Sequence, residues 1–397
     1  MKALPFLLSL ATTAFAVEPV AYKVQLDVVS EGFDGKFCWF HPRAGAIPGE
    51  APVVVLTMQR WRLAASDVFY PVASQWTSTM GKSWSKIIEH TDTLGRHKLD
   101  NGYEEGICDF MPKWHAKTRK LLGTAHTVIY DEQDKLVKVR ARAAAWSIYD
   151  VSTQTWTQWA KLALPDEPRF NCAGAGSAQR VDLDDGTILL PIYSKEMNEP
   201  KYFTTVVRCS FDGKELKYLG HGSELTVPTP RGLYEPSLAK LGNRFFLTMR
   251  NDNAAYVSVS DDGQKFSEPK KWTFDDGADL GSYNTQAHWL THSDGLFLTY
   301  TRRGANNDNV VRHRAPLFLA QIDPEKLVVL RSTEREIVPN KGAQLGNFSV
   351  VDVNEHETWV TTSEGMSPGK PQEFGANGRV YAARIQWEKP NTAWNQH

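Results

Sequence analysis

One pattern recurs about every sixty residues along the chain. A polar or charged residue opens it, then come alternating hydrophobic residues, a turn and a second apolar run. The copies begin near Arg43, Asp109, Gly176, Glu235, Gln286 and Phe348. Each reads as strand, hairpin, strand. Asp-Gly pairs at 185–186 and 294–295 are expected to supply the positive φ of tight hairpins. Two more strands can follow a copy, as residues 67–74 do after the first and 255–260 after the fourth. Four strands per unit of this length predict an all-β fold, a six-bladed β-propeller of four-stranded antiparallel blades. A parallel β-solenoid is the rival for a repeating β chain, but its repeats are much shorter. No stretch of ten or more residues has a helical period, and no linker divides the chain, so residues 17–397 read as a single domain.

Composition narrows the function classes. The 397 residues carry 45 Lys+Arg against 46 Asp+Glu, a formal charge of -1. That balance gives no electrostatic reason to expect nucleic acid or an anionic membrane as partner. With 41% hydrophobic and 23% charged residues the chain is globular rather than disordered. The 13 Trp, 13 Tyr and 18 Phe suit β cores and carbohydrate sites alike.

The first sixteen residues read as a secretory leader: Lys2, a short apolar run, and the small-residue sites Ala14 and Ala16 before cleavage at Val17. No later stretch approaches the ~20 apolar residues that span a bilayer. The expectation is a mature chain that is secreted or periplasmic, and monomeric. Cys38, Cys108, Cys172 and Cys209 include no C-x-x-C pair, so zinc is not expected. An oxidising compartment permits disulfides, but burial as small hydrophobes is the simpler expectation. No Walker loop, Rossmann fingerprint, H-E-x-x-H or G-x-S-x-G is present, and neither a cofactor nor a metal is predicted. Asn347 begins a glycosylation sequon that chance alone supplies readily.

Two turns carry a family resemblance. Residues 259–266, with Asp261, Asp262, Gly263 and Phe266, resemble the "Asp box" of sialidase propellers, and 77–84 resembles a degraded copy without the aspartate. The box shapes a hairpin and is not catalytic. The blade openings add to the likeness. Arg43 with Ile47, the loop from Gln59 to Asp67, Glu235 followed by Arg250, and a cluster of Arg302, Arg303, Arg312 and Arg314 occur in an order similar to the sialidase (neuraminidase) superfamily. The resemblance implies an exo-sialidase-like glycoside hydrolase that cleaves a terminal acidic sugar from a glycan. Arg43, Arg250 and Arg314 would clamp the sugar carboxylate by charge-assisted, bidentate hydrogen bonds, with Arg302, Arg303 or Arg312 as alternatives for the third. Asp67 would be the acid/base and Glu235 the supporting carboxylate.

One position departs from the family. Such enzymes use a tyrosine nucleophile opening the last blade, and Phe348 stands there. Tyr283 or Tyr234 would have to replace it from a neighbouring blade. Histidines offer a different chemistry, because His41, His126 and His288 lie at or near blade openings. His41 is a candidate acid or base, and His288 and Gln286 are candidate substrate contacts. With arginines neutralising a uronate carboxylate, a base could remove the C5 proton and eliminate the 4-linked sugar. A polysaccharide lyase or histidine-dependent glycosidase is therefore the alternative, and a non-catalytic sugar-binding propeller is the third reading.

Overall fold

The structure is a computed structural model that describes residues 17–64 and 67–394. The leader predicted at 1–16 lies outside the described residues. Six antiparallel sheets follow one another around a ring. Blade 1 runs Phe37–Ile47, Val53–Arg62, Phe69–Thr77 and Ile88–Glu89. Blade 2 is built on Glu104–His115, Lys120–Tyr130 and Ala144–Asp150. Blade 3 has only a short inner strand, Val181–Asp182, before Thr187–Ser194, Phe203–Phe211 and Leu216–His221. Blade 4 spans Tyr234–Leu241, Arg244–Arg250, Tyr256–Ser260 and Lys270–Lys271. Blade 5 is built on His288–His292, Gly295–Tyr300 and Leu317–Asp323. The single α-helix among the described residues is the four-residue turn Thr91–Leu94.

Blade 6 closes the ring in a way the repeat did not announce. Its own copy supplies Ser349–Asn354, Glu357–Ser363 and Arg379–Trp387. The fourth strand comes from the other end of the chain, where Tyr22–Glu31 pairs antiparallel with Arg379–Trp387. Hydrogen bonds between first and last strands thus shut the edges that an open ring would expose.

The repeat is also a repeat of register. In five blades a threonine of the second strand faces the same inner-strand position: Arg43–Thr57, Met111–Thr124, Ser237–Thr248, His288–Thr299 and Ser349–Thr361. Each blade is covered on both faces, so its central strands are buried almost without alternation, as in Arg244–Arg250. Aromatic side chains fill the gaps between blades. Trp289 of blade 5 meets Phe246 and Trp272 of blade 4 edge-on, with ring centres 6.1 and 5.7 Å apart.

The turns match their sequence reading with two refinements. In the Asp box, Asp262 rather than Asp261 does the work: its Oδ1 accepts from the Gln264 and Lys265 amides at 2.8 and 2.7 Å. In the degraded copy Thr79 Oγ1 takes that role, accepting from the Ser83 amide at 3.0 Å. The Asp294–Gly295 turn corrects the expectation. Gly295 is not in the left-handed region but opens a strand paired with His292. A Cβ there would stand 3.0 Å from Val20 and 3.1 Å from Gln321, so the glycine fits a close approach of side chains. All four cysteines are reduced and buried.

Candidate active site

Three inner strands carry the same irregularity at the same place. Pairing slips between Phe40 and Arg43, between Cys108 and Met111, and between Tyr234 and Ser237. Two residues then oppose one, which is a β-bulge. The first bulged residue is His41 in blade 1, Asp109 in blade 2 and Glu235 in blade 4, with φ of 53, 59 and 44°. Left-handed backbone at a non-glycine residue costs about 1–3 kcal/mol and clusters at functional sites. The bulges aim all three side chains into one cavity of about 380 Å³, which residues of all six blades line.

The walls are rich in arginine. Arg140, Arg142, Arg231, Arg250, Arg312 and Arg314 line the cavity, against the carboxylates Asp67, Asp109 and Glu235. Arg250 Nη1 donates to Glu235 Oε2 at 2.5 Å, and Nη2 donates to Asn284 Oδ1 at 2.6 Å. Arg231 is paired with Asp252. Arg314 differs from both. It is 6% exposed, yet its hydrogen bonds run to neutral oxygens, Gln344 Oε1 at 3.1 Å and the Asn284 carbonyl at 2.6 Å. Burial, and then the like charges of Arg250 and Arg312, bring its pKa down to about 9. A buried cation so placed attracts an anion strongly.

The opposite wall holds a hydrogen-bonded network. Asp109 accepts from Arg43 Nη2 at 2.6 Å and from Ser177 Oγ at 2.7 Å, with His41 Nε2 at 3.5 Å and His126 Nδ1 at 4.0 Å. Burial pushes its carboxyl up, but His41, Arg43, His126 and Ser177 outweigh that and hold it well below the usual range. Burial lowers His41 to about 4, against the pull of Asp109, so its imidazole is neutral near pH 7. His126 Nε2 sits 3.0 Å from Cys108 Sγ, and its Nδ1 sits 3.2 Å from the Tyr193 hydroxyl. Cys108, Asp109 and His126 have ligand atoms within 4.8 Å of one another. The Arg43 guanidinium on Asp109 and the close sulfur–nitrogen contact make this a hydrogen-bonded cluster that disfavours a cation.

The sequence candidates divide. Asp67, Glu235, His41, Arg250, Arg312 and Arg314 come together around the cavity. Asp67 adopts φ 53° beside His41, and its carbonyl accepts from Tyr130. Arg43 does not line the cavity. It is fully buried beneath it and ties blades together through Asp109, Ser177 and Gln286. The carboxylate expected from a ligand is supplied internally by Asp109. Gln286 and His288 are also buried outside the lining: Gln286 donates to the Phe348 carbonyl and His288 Nδ1 bonds Ser237. Tyr283 lies outside the lining, held by His313 at 2.6 Å and covered by Arg303. Arg302 is bound by Glu334. Phe348 is fully buried, edge-on to His288.

Sequence reasoning missed Asp109, Tyr193, Tyr202, Arg140 and Arg142 as cavity residues. A signal existed for Asp109, which opens its copy where Glu235 opens another. The two arginines and Tyr202 lie on connecting segments that no periodicity marks. Tyr234, named as a substitute nucleophile, does line the cavity, but its hydroxyl is bonded to Asp252 at 2.5 Å and to Arg231. Burial raises it to about 12, although Arg250 and Arg231 act the other way.

Comparison with known proteins follows the fold. A family model described as "BNR repeat-like domain" matches residues 127–383, and the chain belongs to that family. No curated protein matches the chain. Among solved structures it is similar to a protein of unknown function from Dyadobacter fermentans, at 15% identity and TM-score 0.63, over 92% of this chain and 99% of that one. Trypanosoma rangeli sialidase is similar at 12% identity and TM-score 0.63, over 93% of this chain and 60% of that one. The NanB sialidase of Streptococcus pneumoniae is similar at 10% identity and TM-score 0.60, over 91% and 70%. The chain thus spans about three-fifths of the trypanosomal enzyme. At such identities the likeness concerns the sialidase-like six-bladed propeller.

Proposed function

We propose that the protein is a glycoside hydrolase acting on a terminal sugar that bears a carboxylate. The observation that carries the reading is Arg314, buried and bonded only to neutral oxygens, with Arg250 and Arg312 beside it. In this reading the sugar carboxylate replaces water against Arg314, and Glu235 holds Arg250 in position. Asp67 protonates the leaving oxygen and later deprotonates water. The attacking phenol is Tyr193, with His126 Nδ1 3.2 Å away to take its proton, a transfer that burial opposes by raising the phenol and lowering the imidazole. A neutral phenol approaches an anionic sugar without charge repulsion. The leader residues 1–16 support an enzyme that works outside the cytoplasm. N-terminal sequencing of exported protein should find Val17 first.

A second reading has a specific observation in its favour. A phenol hydrogen-bonded to a histidine, opposite arginines that neutralise a uronate, also suits elimination across C4 and C5, and Phe348 removes the family's expected nucleophile. Incubation with sialosides and with uronate-containing glycans separates the two. Released saturated acidic sugar supports hydrolysis. Ultraviolet absorbance from a new alkene conjugated to the carboxylate supports elimination. Tyr193→Phe should lower kcat by about 100-fold or more in either case. Turnover of neutral glycans alone contradicts both.

A further inference from the structure

Two arginines of the cavity are left over by this reading. Arg140 and Arg142 lie on the segment joining Lys120–Tyr130 to Ala144–Asp150 in blade 2, and both line the cavity. Blade 2 is three blades round the ring from blade 5, which carries Arg314. The two positive poles therefore face each other across the axis, and Asp67 and His41 of blade 1 and Glu235 of blade 4 line the same cavity from the blades next to them.

The pair is built rather than incidental. The Arg142 backbone is pinned to the strand-like segment beside it: its amide donates to the Asn171 carbonyl at 3.1 Å and its carbonyl accepts from Ala173 at 3.0 Å. Its guanidinium packs on the Tyr193 and Tyr202 rings, 5.3 and 5.8 Å from their centres. Gly174 leaves it room, since a Cβ there would stand 3.0 Å from Arg142 Cδ. Neither arginine has a carboxylate partner among the described residues. Arg140 donates to the Val137 carbonyl at 2.6 Å and Arg142 to the Tyr202 hydroxyl at 3.4 Å. The Nε of each is buried with no hydrogen-bond partner. Burial, and then Arg142, lower the Arg140 pKa, whereas for Arg142 burial is outweighed by Tyr193 and Tyr202, which raise it. Arg231 and Arg250, by contrast, each have an acid of their own.

We propose that Arg140 and Arg142 form a second anion subsite, so that the preferred ligand is a dianionic glycan with one charge on Arg314 and another across the cavity. This rests on the reading of the cavity as an acidic-sugar site. The second group is an oxyanion on the neighbouring sugar, either a sulfate ester or a second uronate carboxylate. Both offer planar or tripodal oxygens that accept from guanidinium forks. Arg142, stacked on Tyr193, brings that group close to the proposed nucleophile and fixes which side of the scissile bond it occupies.

The test is calorimetric titration of the mature protein with three ligands: a neutral-aglycone uronide, the same uronide with a sulfated aglycone sugar, and a diuronide. A dianionic ligand should bind roughly tenfold or more tighter than the first, and its affinity should fall more steeply with salt. Arg140→Met with Arg142→Met should erase that preference while leaving the neutral-aglycone uronide within about twofold. Arg314→Met should weaken all three ligands. Whichever dianion gains more identifies the second group as sulfate or carboxylate. Unchanged preference in the double variant, or no preference in the unsubstituted protein, overturns the subsite alone. Failure of every ligand, and of a sialoside run beside them, to bind the unsubstituted protein overturns the acidic-sugar reading and the subsite with it. Far-ultraviolet circular dichroism of each variant shows whether a lost preference reflects lost fold.

Discussion

Arg314 and Arg43 have opposite solutions to the same physical problem. Each is a buried guanidinium, and burial is costly unless the charge is met. Arg43 is met by Asp109, within the protein. Arg314 is met by neutral oxygens and so retains a demand that an anion can satisfy. Replacing Arg314 with methionine should therefore abolish carboxylate binding while keeping or raising the melting temperature of the unliganded protein. A thermal scan with and without ligand checks both halves. The sign follows from its pKa. Folding lowers it to about 9, so the fold opposes the charged form below that pH, and the penalty fades as pH rises above 9. His41 follows the same sign at lower pH. Its folded pKa of about 4 lies below the ordinary 6.5, so its contribution is complete above 6.5 and is lost as pH falls from 6.5 through 4. That shift corresponds to roughly 3 kcal/mol. Denaturant titrations of the protein and of His41→Asn should converge on acidification, the unsubstituted protein losing stability faster between those values.

At the scale of the element, bulges and turns do the positioning. His41, Asp109 and Glu235 share one bulge geometry on three different strands. Insertion of one residue by a bulge redirects a side chain without breaking the strand, so blades can vary their chemistry and keep their packing. The Asp box has only a packing role. Gly263 lies at φ 71°, and a Cβ there would overlap Leu189 Cδ1. Gly263→Ala should cost about 2 kcal/mol or more in urea unfolding, through strain and overpacking, with KM and kcat unchanged. Sequence patterning made the blade count legible because apolar runs separated by turn residues are local signals, and it read the Asp185–Gly186 turn correctly but not Asp294–Gly295. It made Glu235, Asp67 and Arg250 legible through their place in the repeat. Arg43 and Tyr283, expected at the site, lie outside the cavity lining, because the direction of a side chain depends on neighbours in other blades. Patterning missed Arg142 because that residue sits in a connection whose course is set by packing against blade 3.

For the whole molecule, ring closure is the decisive contact. Tyr22–Glu31 completes blade 6, and Tyr22 packs against Phe297 and Trp387, with centres 5.9 and 5.7 Å away. Deleting residues 17–31 should open the ring, expose the edge of Arg379–Trp387 and cause aggregation, seen as a shift to the void volume in size-exclusion chromatography. The closing strand was not legible in the repeat, because residues 22–31 belong to no copy of their own. Closure also sets the cavity, since every blade contributes to its wall and a gap between any two would separate Arg314 from Asp109.

The central claim is that the cavity recognises a carboxylate by charge. Calorimetry of the mature protein with an acidic glycoside and with its primary carboxamide tests this most directly, since the two ligands differ only in that group. The account predicts binding of the acid and a loss of roughly 100-fold for the amide, with the difference vanishing in Arg314→Met. Equal binding of acid and amide by the unsubstituted protein would contradict it.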